Sequence, residues 1–207
     1  VFDPLSLYYQ EYVESQYENG EIPGLLNEAA VPSHLLSKAR EFTDTAVIVI
    51  GRYSGENWDR KNDGTDDYFD LSKTESDMVK AVTDHFPRVA VLLNVGAMIN
   101  TAWFADNDKI SSALIVWQGG QEGGLAAADI LTGEVNPSGK LADTCAKSFD
   151  DYPSSAGFHE SEACVKYTED IFVGYRYFET IPGKKDCVVY PFGYGLSYTS
   201  FVFSHAS

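Results

Sequence analysis

Apolar runs alternate with amphipathic stretches along the middle of the chain. Three runs are continuous and mostly apolar: TAVIVI (45–50), VAVLLNVG (89–96) and ALIVW (113–117). Such runs predict buried strands, and the first, rich in β-branched residues, is typical of a strand covered on both faces. Helical spacing of apolar residues predicts helices in SHLLSKAREF, SKTESDMVKAVTDHF, AMINTAWFAD and GQEGGLAAADILTGE. A further strand is predicted in GKLADT, residues 139–144.

This order of elements predicts an α/β fold. Strands joined by helices form βαβ units, which assemble into a three-layer sandwich with a mainly parallel sheet and helices on both faces. The predicted sandwich domain spans residues 33–207. In open sheets of this kind, ligands bind beyond the carboxyl ends of the strands.

Local signals mark where the predicted helices begin and end. Ser33 is a candidate cap for the first helix. Ser72 stands three residues before Glu75, which is the pattern of a capping box. Gly133 is expected to end the helix rich in small residues.

Both ends of the chain depart from the alternating pattern. Residues 1–32 are polar, aromatic and acidic, and they predict an irregular lead-in with a helical turn through LSLYYQEYVESQY. From about residue 150 onward, loops and aromatic residues such as YPFGYGLSYTSF predict an irregular, aromatic-rich C-terminal wrap.

Charge and composition exclude several classes of partner. The chain of 207 residues has 31 acidic and 15 basic residues, a net charge of −16. Nucleic acid is not expected as a partner, because binding phosphates requires clustered Lys and Arg. A membrane span is not expected either, because no apolar run approaches the roughly 20 residues that a span needs.

Cysteine and histidine positions favour neither a metal site nor a disulfide framework. The three cysteines, Cys145, Cys164 and Cys187, are an odd count without metal-ligand spacing, which favours reduced thiols or one optional disulfide. No metal and no cofactor are therefore expected. Reduced cysteines and an N-terminus unlike a signal peptide favour a cytoplasmic bacterial enzyme over a secreted one. The start without Met suggests a processed or excised piece.

The candidate chemistry lies in GRYSGENWDR, residues 51–60, at the carboxyl end of the first predicted strand. This stretch contains neither a phosphate loop nor a dinucleotide fingerprint, and Ser54 is misplaced for a hydrolase elbow. Glu56 stands beside Trp58, and an aromatic, apolar setting raises the pKa of a carboxyl group as a general acid requires. Trp58 offers a face on which a sugar ring could stack. The alternative reading is an exposed loop glutamate.

Four ordered motifs resemble one family. They are GRYSGENWDRK, WQGGQEGGLAAADILTGEVNPSGKLADT, YTEDIFVGYRYFE and YPFGYGLSYTSF. Together they are similar to the α/β sandwich domain of glycoside hydrolase family three, the β-glucosidases and their relatives, over about residues 25–203. Two positions depart from the family pattern: Asn57 stands where Gly is usual, and Ala142 where Pro is common.

The resemblance implies a reaction and a role for Glu56. Family members hydrolyse β-glycosides with retention, using one carboxylate as nucleophile and one carboxylic acid as acid and then base. The position that matches the family's acid/base is Glu56, and Trp58 is a candidate wall of the sugar subsite. The expected substrate is a β-glucoside or oligosaccharide with a terminal non-reducing β-D-glucosyl residue.

The resemblance also implies that the nucleophile lies outside this chain. In the family it is an aspartate on a separate (β/α)₈ barrel domain, and such a barrel needs about 250 residues. We therefore expect the chain to supply half of an active site and to be inactive without its barrel partner.

Two other functions stay open on the sequence. One is a non-catalytic sandwich domain that binds sugar or supports a partner, and it would tolerate the loss of Glu56. The other is a flavodoxin-like binding module, which shares the fold class but lacks a phosphate-binding motif.

Overall fold

A computed structural model of the chain places three parallel strands side by side. They are β1 (Thr45–Arg52), β2 (Arg88–Val95) and β3 (Ile110–Ile115), in the order β1-β2-β3. The structure describes residues 1–22, 24–52, 69–158, 161, 163–202 and 204. The chain divides into two compact units, Val1–Trp117 and Gln118–Ser207, and the three strands belong to the first. The predicted α/β class with a parallel sheet is confirmed.

One face of this sheet forms the core of the first unit. Ile48 and Ile50 on β1 are in register with Val91 and Leu93 on β2, and these four side chains are at most 3% exposed. Burying a side chain of this size contributes about 1.5–3 kcal/mol. The pairing of β1 with β2 is therefore held chiefly by isoleucine, valine and leucine side chains.

The opposite face of β1 is less covered than the sequence predicts. Val47 is 48% exposed and Val49 is 54% exposed, although both belong to the run that predicted cover on both faces. Within the described part of the chain, β1 pairs with β2 alone. Valine suits a pleated strand whether or not a neighbour covers it, so an unbroken apolar run does not by itself tell which face is buried.

Three helices follow the predicted pattern in the first unit. They are α2 (Ser33–Phe42), α3 (Lys73–His85) and the short α4 (Ala102–Ala105). The capping box of α3 is confirmed, since Glu75 N donates to Ser72 Oγ at 3.2 Å and Ser72 N donates to Glu75 Oε2 at 2.8 Å. The prediction for α2 is corrected: Pro32 is the cap, and the Ser33 hydroxyl is instead hydrogen-bonded to His85 Nε2 at 3.2 Å.

Half of the predicted irregular lead-in is a helix, α1 (Asp3–Glu18), of 16 residues. None of its residues is buried, and tyrosine hydroxyls attach it to the segment that follows. Tyr8 donates to Ala30 O at 2.7 Å, and Tyr12 donates to Asn27 O at 2.9 Å. Because the attachment uses hydroxyl groups rather than an apolar stripe, the periodicity that predicts helices elsewhere is weak here.

The second unit contains fewer regular elements. They are α5 (Gly123–Thr132), β4 (Cys145–Ala146), α6 (Tyr175–Thr180), β5 (Val188–Tyr190) and short 3₁₀ turns at Phe149–Asp151, Ser155–Gly157, Asp170–Phe172 and Lys184–Cys187. Helix α5 ends as predicted at Gly133, whose φ of 82° is left-handed. Strands β4 and β5 pair antiparallel.

The strand predicted over residues 139–144 does not form. The backbone of Leu141 pairs with the aromatic C-terminal segment, donating from N to Tyr194 O and accepting from Gly193 N, both at 2.8 Å, and Lys140 Nζ donates to Gly195 O. A regular strand begins only at Cys145. The backbone N–H and C=O of Leu141 are both hydrogen-bonded to the turn at residues 193–194, so they do not require a strand partner.

The C-terminal segment is held to NPSGKL by hydrogen bonds of the Asn136 side-chain amide. Asn136 Nδ2 donates to Thr199 Oγ1 at 2.6 Å and to Ser197 Oγ at 3.2 Å, while Tyr198 N donates to Asn136 Oδ1 at 3.1 Å. Nearby, the rings of Tyr175 and Phe192 stack with centroids 4.5 Å apart. Aromatic packing and side-chain hydrogen bonds thus order a segment that lacks regular secondary structure.

Gly195 is predicted to tolerate no side chain. A Cβ atom at this position would lie 2.2 Å from Gly139 O, a backbone atom that cannot rotate away. We expect Gly195→Ala to lower the free energy of unfolding of the chain by about 1–3 kcal/mol, as overpacking does. Gly139→Ala is the matched control, because its Cβ atom would meet nothing within 4 Å. Denaturant titration measures both, and equal stabilities of the two variants would contradict the prediction.

Glu28 is predicted to make the stability of the first unit depend on pH. Burial raises the pKa of its carboxyl group, and hydrogen bonds from Tyr9 Oη and Ala29 N offset only part of that effect. A raised pKa means that the folded state favours the neutral acid. The stabilisation is therefore complete below the ordinary glutamate pKa, about 4.3, and is lost as pH rises through the raised value.

Glu28→Gln, which imitates the neutral acid, isolates this contribution. We expect the stability of the wild type relative to Glu28→Gln to fall as pH rises from about 4. Denaturant titrations of the two chains at a series of pH values measure the difference. A difference that is constant or increases with pH would show that Glu28 does not titrate in this way.

Candidate active site

The two predicted site residues, Glu56 and Trp58, lie outside the described residues. So do Ser54, Asp59 and Arg60. What the structure describes are the residues that flank 53–68 in the sequence: Arg52, the last residue of β1, and Phe69.

Arg52 forms a buried ion pair at the carboxyl end of β1. Its guanidinium group binds both carboxylate oxygens of Glu75, with Nη2 at 2.7 Å from Oε2 and Nη1 contacting Oε1. The side chains of Arg52 and Glu75 are 7% and 12% exposed. A bidentate pair of this kind fixes the orientation of both groups as well as their distance.

Glu75 joins this ion pair to the first turn of α3. The same carboxylate accepts the hydrogen bond from Ser72 N that closes the capping box. An acidic side chain is also favoured at a helix N-terminus by the helix dipole. One carboxylate therefore connects the end of β1 to the beginning of the next helix.

The guanidinium group of Arg52 also reaches the other end of the segment 53–68. Arg52 Nη2 donates to Asp70 O at 3.2 Å. Asn100, which follows β2, holds the same point: its N donates to Phe69 O at 2.8 Å and its Nδ2 donates to Asp70 Oδ1 at 2.7 Å. We call Arg52, Glu75, Asp70 and Asn100 the end clamp.

The end clamp lies at the edge of the sheet where ligands of open α/β folds bind. Arg52 is in register with Val95, so β1 and β2 end side by side. Sequence reasoning missed the clamp. Its partners are 18 and 23 residues apart along the chain, and no local spacing reveals such pairs. The available signal was a lone arginine at the polar end of an apolar strand.

Other site types receive little support from the described residues. Those residues contain no group of three or more His, Cys, Asp or Glu side chains that could hold a metal ion. No described helix is both long enough and apolar enough to cross a membrane. Cys145, Cys164 and Cys187 are thiols, the state that their odd count favours.

Comparison with known protein families decides what kind of domain this is. Residues 26–198 match the model of the glycosyl hydrolase family 3 C-terminal domain. The chain belongs to this family. The family match covers the sheet and the end clamp of the first unit, together with most of the second unit.

Curated relatives of this family 3 domain are β-glucosidases. The chain is 52% identical over 223 residues to β-glucosidase A of Butyrivibrio fibrisolvens, and the match covers 98% of the chain and 27% of the relative. It is 43% identical over 201 residues to a β-glucosidase of Ruminococcus albus, covering 95% of the chain and 21% of that relative. The chain thus spans about a quarter of the length of these relatives.

Solved structures show the same fold. A β-glucosidase from Paenibacillus barengoltzii superimposes with a TM-score of 0.87 at 41% identity, over 98% of this family 3 domain and 22% of that protein. β-Glucosidase 3B from Thermotoga neapolitana, solved in complex with glucose, superimposes with a TM-score of 0.82 at 37% identity, over 95% and 28% of the two chains.

The buried carboxylate of Glu75 is predicted to be a major stabilising group of the domain. Glu75→Ala removes the partner of a buried arginine and half of the capping box, so we expect the free energy of unfolding to fall by about 3–5 kcal/mol. Asp77→Ala is the control on the same helix, because it breaks only the exposed Lys73–Asp77 pair and should cost at most about 0.5 kcal/mol. Denaturant titration of both variants tests this. Similar losses in the two would contradict a special role for Glu75.

Proposed function

We propose that the chain is the acid/base-bearing domain of a retaining β-glucosidase and that Glu56 is the acid/base. The observation that carries the proposal is the match of residues 26–198 to the family 3 C-terminal domain. The relatives named β-glucosidase support the reaction, and the motif GRYSGENWDR supports the residue.

The position of Glu56 in the sequence suits this role. It follows the end of β1 by four residues, and the carboxyl ends of parallel strands are where open α/β sheets bind their ligands. The end clamp holds the residues on either side of its segment. A proton donor needs such support, because proton transfer requires the donor within hydrogen-bond reach of the glycosidic oxygen.

In the proposed reaction, the Glu56 carboxyl group gives its proton to the glycosidic oxygen as the bond to the sugar breaks. A second carboxylate attacks the anomeric carbon and forms a glycosyl–enzyme intermediate. Glu56, now ionised, then removes a proton from the water molecule that hydrolyses this intermediate and so regains its acid form. Retaining enzymes place the two carboxyl groups about 5–5.5 Å apart.

The nucleophile in this proposal comes from a (β/α)₈ barrel domain outside the chain. The relatives support an enzyme of several domains, since the chain covers only 27% of one and 21% of another. That leaves ample length for a barrel of about 250 residues. The isolated chain should therefore have no glucosidase activity.

We propose a terminal non-reducing β-D-glucosyl residue as the substrate group, with Trp58 as one wall of its subsite. Two related β-glucosidases, from Thermotoga neapolitana and Kluyveromyces marxianus, were solved in complex with glucose. Tryptophan presents a large, rigid apolar face to a sugar ring. The chemistry uses two carboxyl groups and water, so the proposal requires no cofactor.

The proposal predicts how the loss of Glu56 depends on the leaving group. In the full-length protein, Glu56→Ala should lower the glycosylation rate of an alkyl β-glucoside by about 10²–10⁴-fold, because its leaving group needs protonation. An activated dinitrophenyl β-glucoside should still form the glycosyl–enzyme intermediate, but the hydrolysis of that intermediate should be slow. Added azide should then restore turnover and give β-glucosyl azide. Steady-state and burst kinetics measure both steps.

Glu41→Ala supplies the control, because Glu41 is an exposed glutamate of α2 in the same unit. It should behave as the wild type on both substrates. If Glu56→Ala also does so, Glu56 is a surface residue and the domain is a non-catalytic support or sugar-binding module.

A further inference from the structure

We propose that Arg52 is a positioning residue for the acid/base, acting by fixing both ends of the segment 53–68 through the end clamp. The inference rests on the proposed function of Glu56. Arg52 itself need not contact the substrate. Its guanidinium group binds three separate parts of the chain: the beginning of α3 at Glu75, the far end of the segment at Asp70, and its own strand at Gly51 O.

The contact between Arg52 and Glu75 is difficult to rearrange. Arg52 and Glu75 are both nearly excluded from water. Moving either partner away would leave an uncompensated charge in a buried place, which is far more costly than breaking an exposed pair. The position of Arg52 at the end of β1 is therefore fixed by a strong, oriented interaction.

The same guanidinium group also binds Asp70, which follows the segment 53–68 in the sequence. Nη2 of Arg52 donates both to Glu75 Oε2 and to Asp70 O. The residue before the segment 53–68 is therefore hydrogen-bonded directly to a residue that follows it. Arginine can do this because its donors form a planar fork, whereas lysine carries a single ammonium group. The charge alone should therefore not replace Arg52.

Asn100 connects the end clamp to the beginning of α4. Asn100 holds Phe69 and Asp70 from the far side, and its Oδ1 accepts a hydrogen bond from Ala102 N at 2.8 Å at the beginning of α4. Asn100 follows β2, which pairs with β1 up to Arg52. The near end is therefore bonded to α3 through Glu75, and the far end is bonded to Asn100 in the loop between β2 and α4.

A positioning role makes a prediction that a purely stabilising role does not. Misplacing a catalytic group by about 1 Å can cost about 10²-fold in rate. The loss should appear where Glu56 must transfer a proton and be small where the leaving group departs without one. A variant that merely unfolds part of the enzyme would lower both rates equally, because it removes active molecules.

The test uses the full-length protein with Arg52→Met, Arg52→Lys and the control Arg40→Met. Arg40 belongs to the same unit and pairs with Asp44, but that pair is exposed. For Arg52→Met and Arg52→Lys we expect glycosylation of an alkyl β-glucoside to fall at least 10-fold and up to about 10²-fold. Glycosylation of a dinitrophenyl β-glucoside should fall less than about threefold, since protonation contributes little there. Arg40→Met should match the wild type.

Asn100→Ala keeps the test decisive if the Arg52 variants do not fold. It removes the exposed side-chain hydrogen bond to Asp70 and the one from Ala102 N, and it leaves the Arg52–Glu75 pair intact. We expect the same selective loss on the alkyl substrate, at a smaller size of about threefold to tenfold. Thermal unfolding of every variant separates this effect from loss of folded protein.

Two failures are distinguishable. If Glu56→Ala leaves the alkyl rate unchanged, the proposed function fails, and the positioning role fails with it. If Glu56→Ala shows acid/base behaviour but the folded Arg52 and Asn100 variants lose equal rate on both substrates, or none, the positioning role alone is overturned.

Discussion

The ion pair between Arg52 and Glu75 is the contact on which the candidate site depends. Burying two charges is costly, and the cost is balanced only when the geometry is good and the remaining donors and acceptors are bonded. Here the pair is bidentate, and Ser72 N and Asp70 O provide further hydrogen bonds, whereas Arg52 Nε is a buried donor that has no hydrogen-bond partner among the described residues. The same carboxylate caps α3, so the strand, the helix and the ends of the intervening segment are determined together.

This arrangement suits an active site shared between domains. On the proposed function, the chain contributes a proton donor and the barrel contributes a nucleophile, and each needs its own rigid support. The parallel sheet supplies that support here, because its buried face is packed by Ile48, Ile50, Val91 and Leu93. The residues that flank 53–68 are thus held by contacts within this chain alone.

The sequence predicted the elements whose signals are local. The run 45–50 and the Ser72–Glu75 spacing indicated β1 and the beginning of α3, since strand composition and capping act over a few residues. Sequence reasoning predicted only a helical turn where α1 forms, because tyrosine hydroxyls rather than an apolar stripe attach the helix. It also missed the end clamp, whose members meet only after the fold brings them together. The role of Glu56 came from the family motif and stays a prediction, because the structure does not describe that residue.

The central claim is that Glu56 is the acid/base of a site completed by another domain. A crystal structure of the full-length protein with a bound, non-hydrolysable β-glucoside analogue would test it most directly. The account predicts that the Glu56 carboxyl group lies within hydrogen-bond reach of the atom replacing the glycosidic oxygen. It also predicts an aspartate carboxylate from another domain, about 5–5.5 Å from Glu56, at the anomeric carbon. A bound sugar whose glycosidic position is served by another acid, with Glu56 facing solvent, would contradict it.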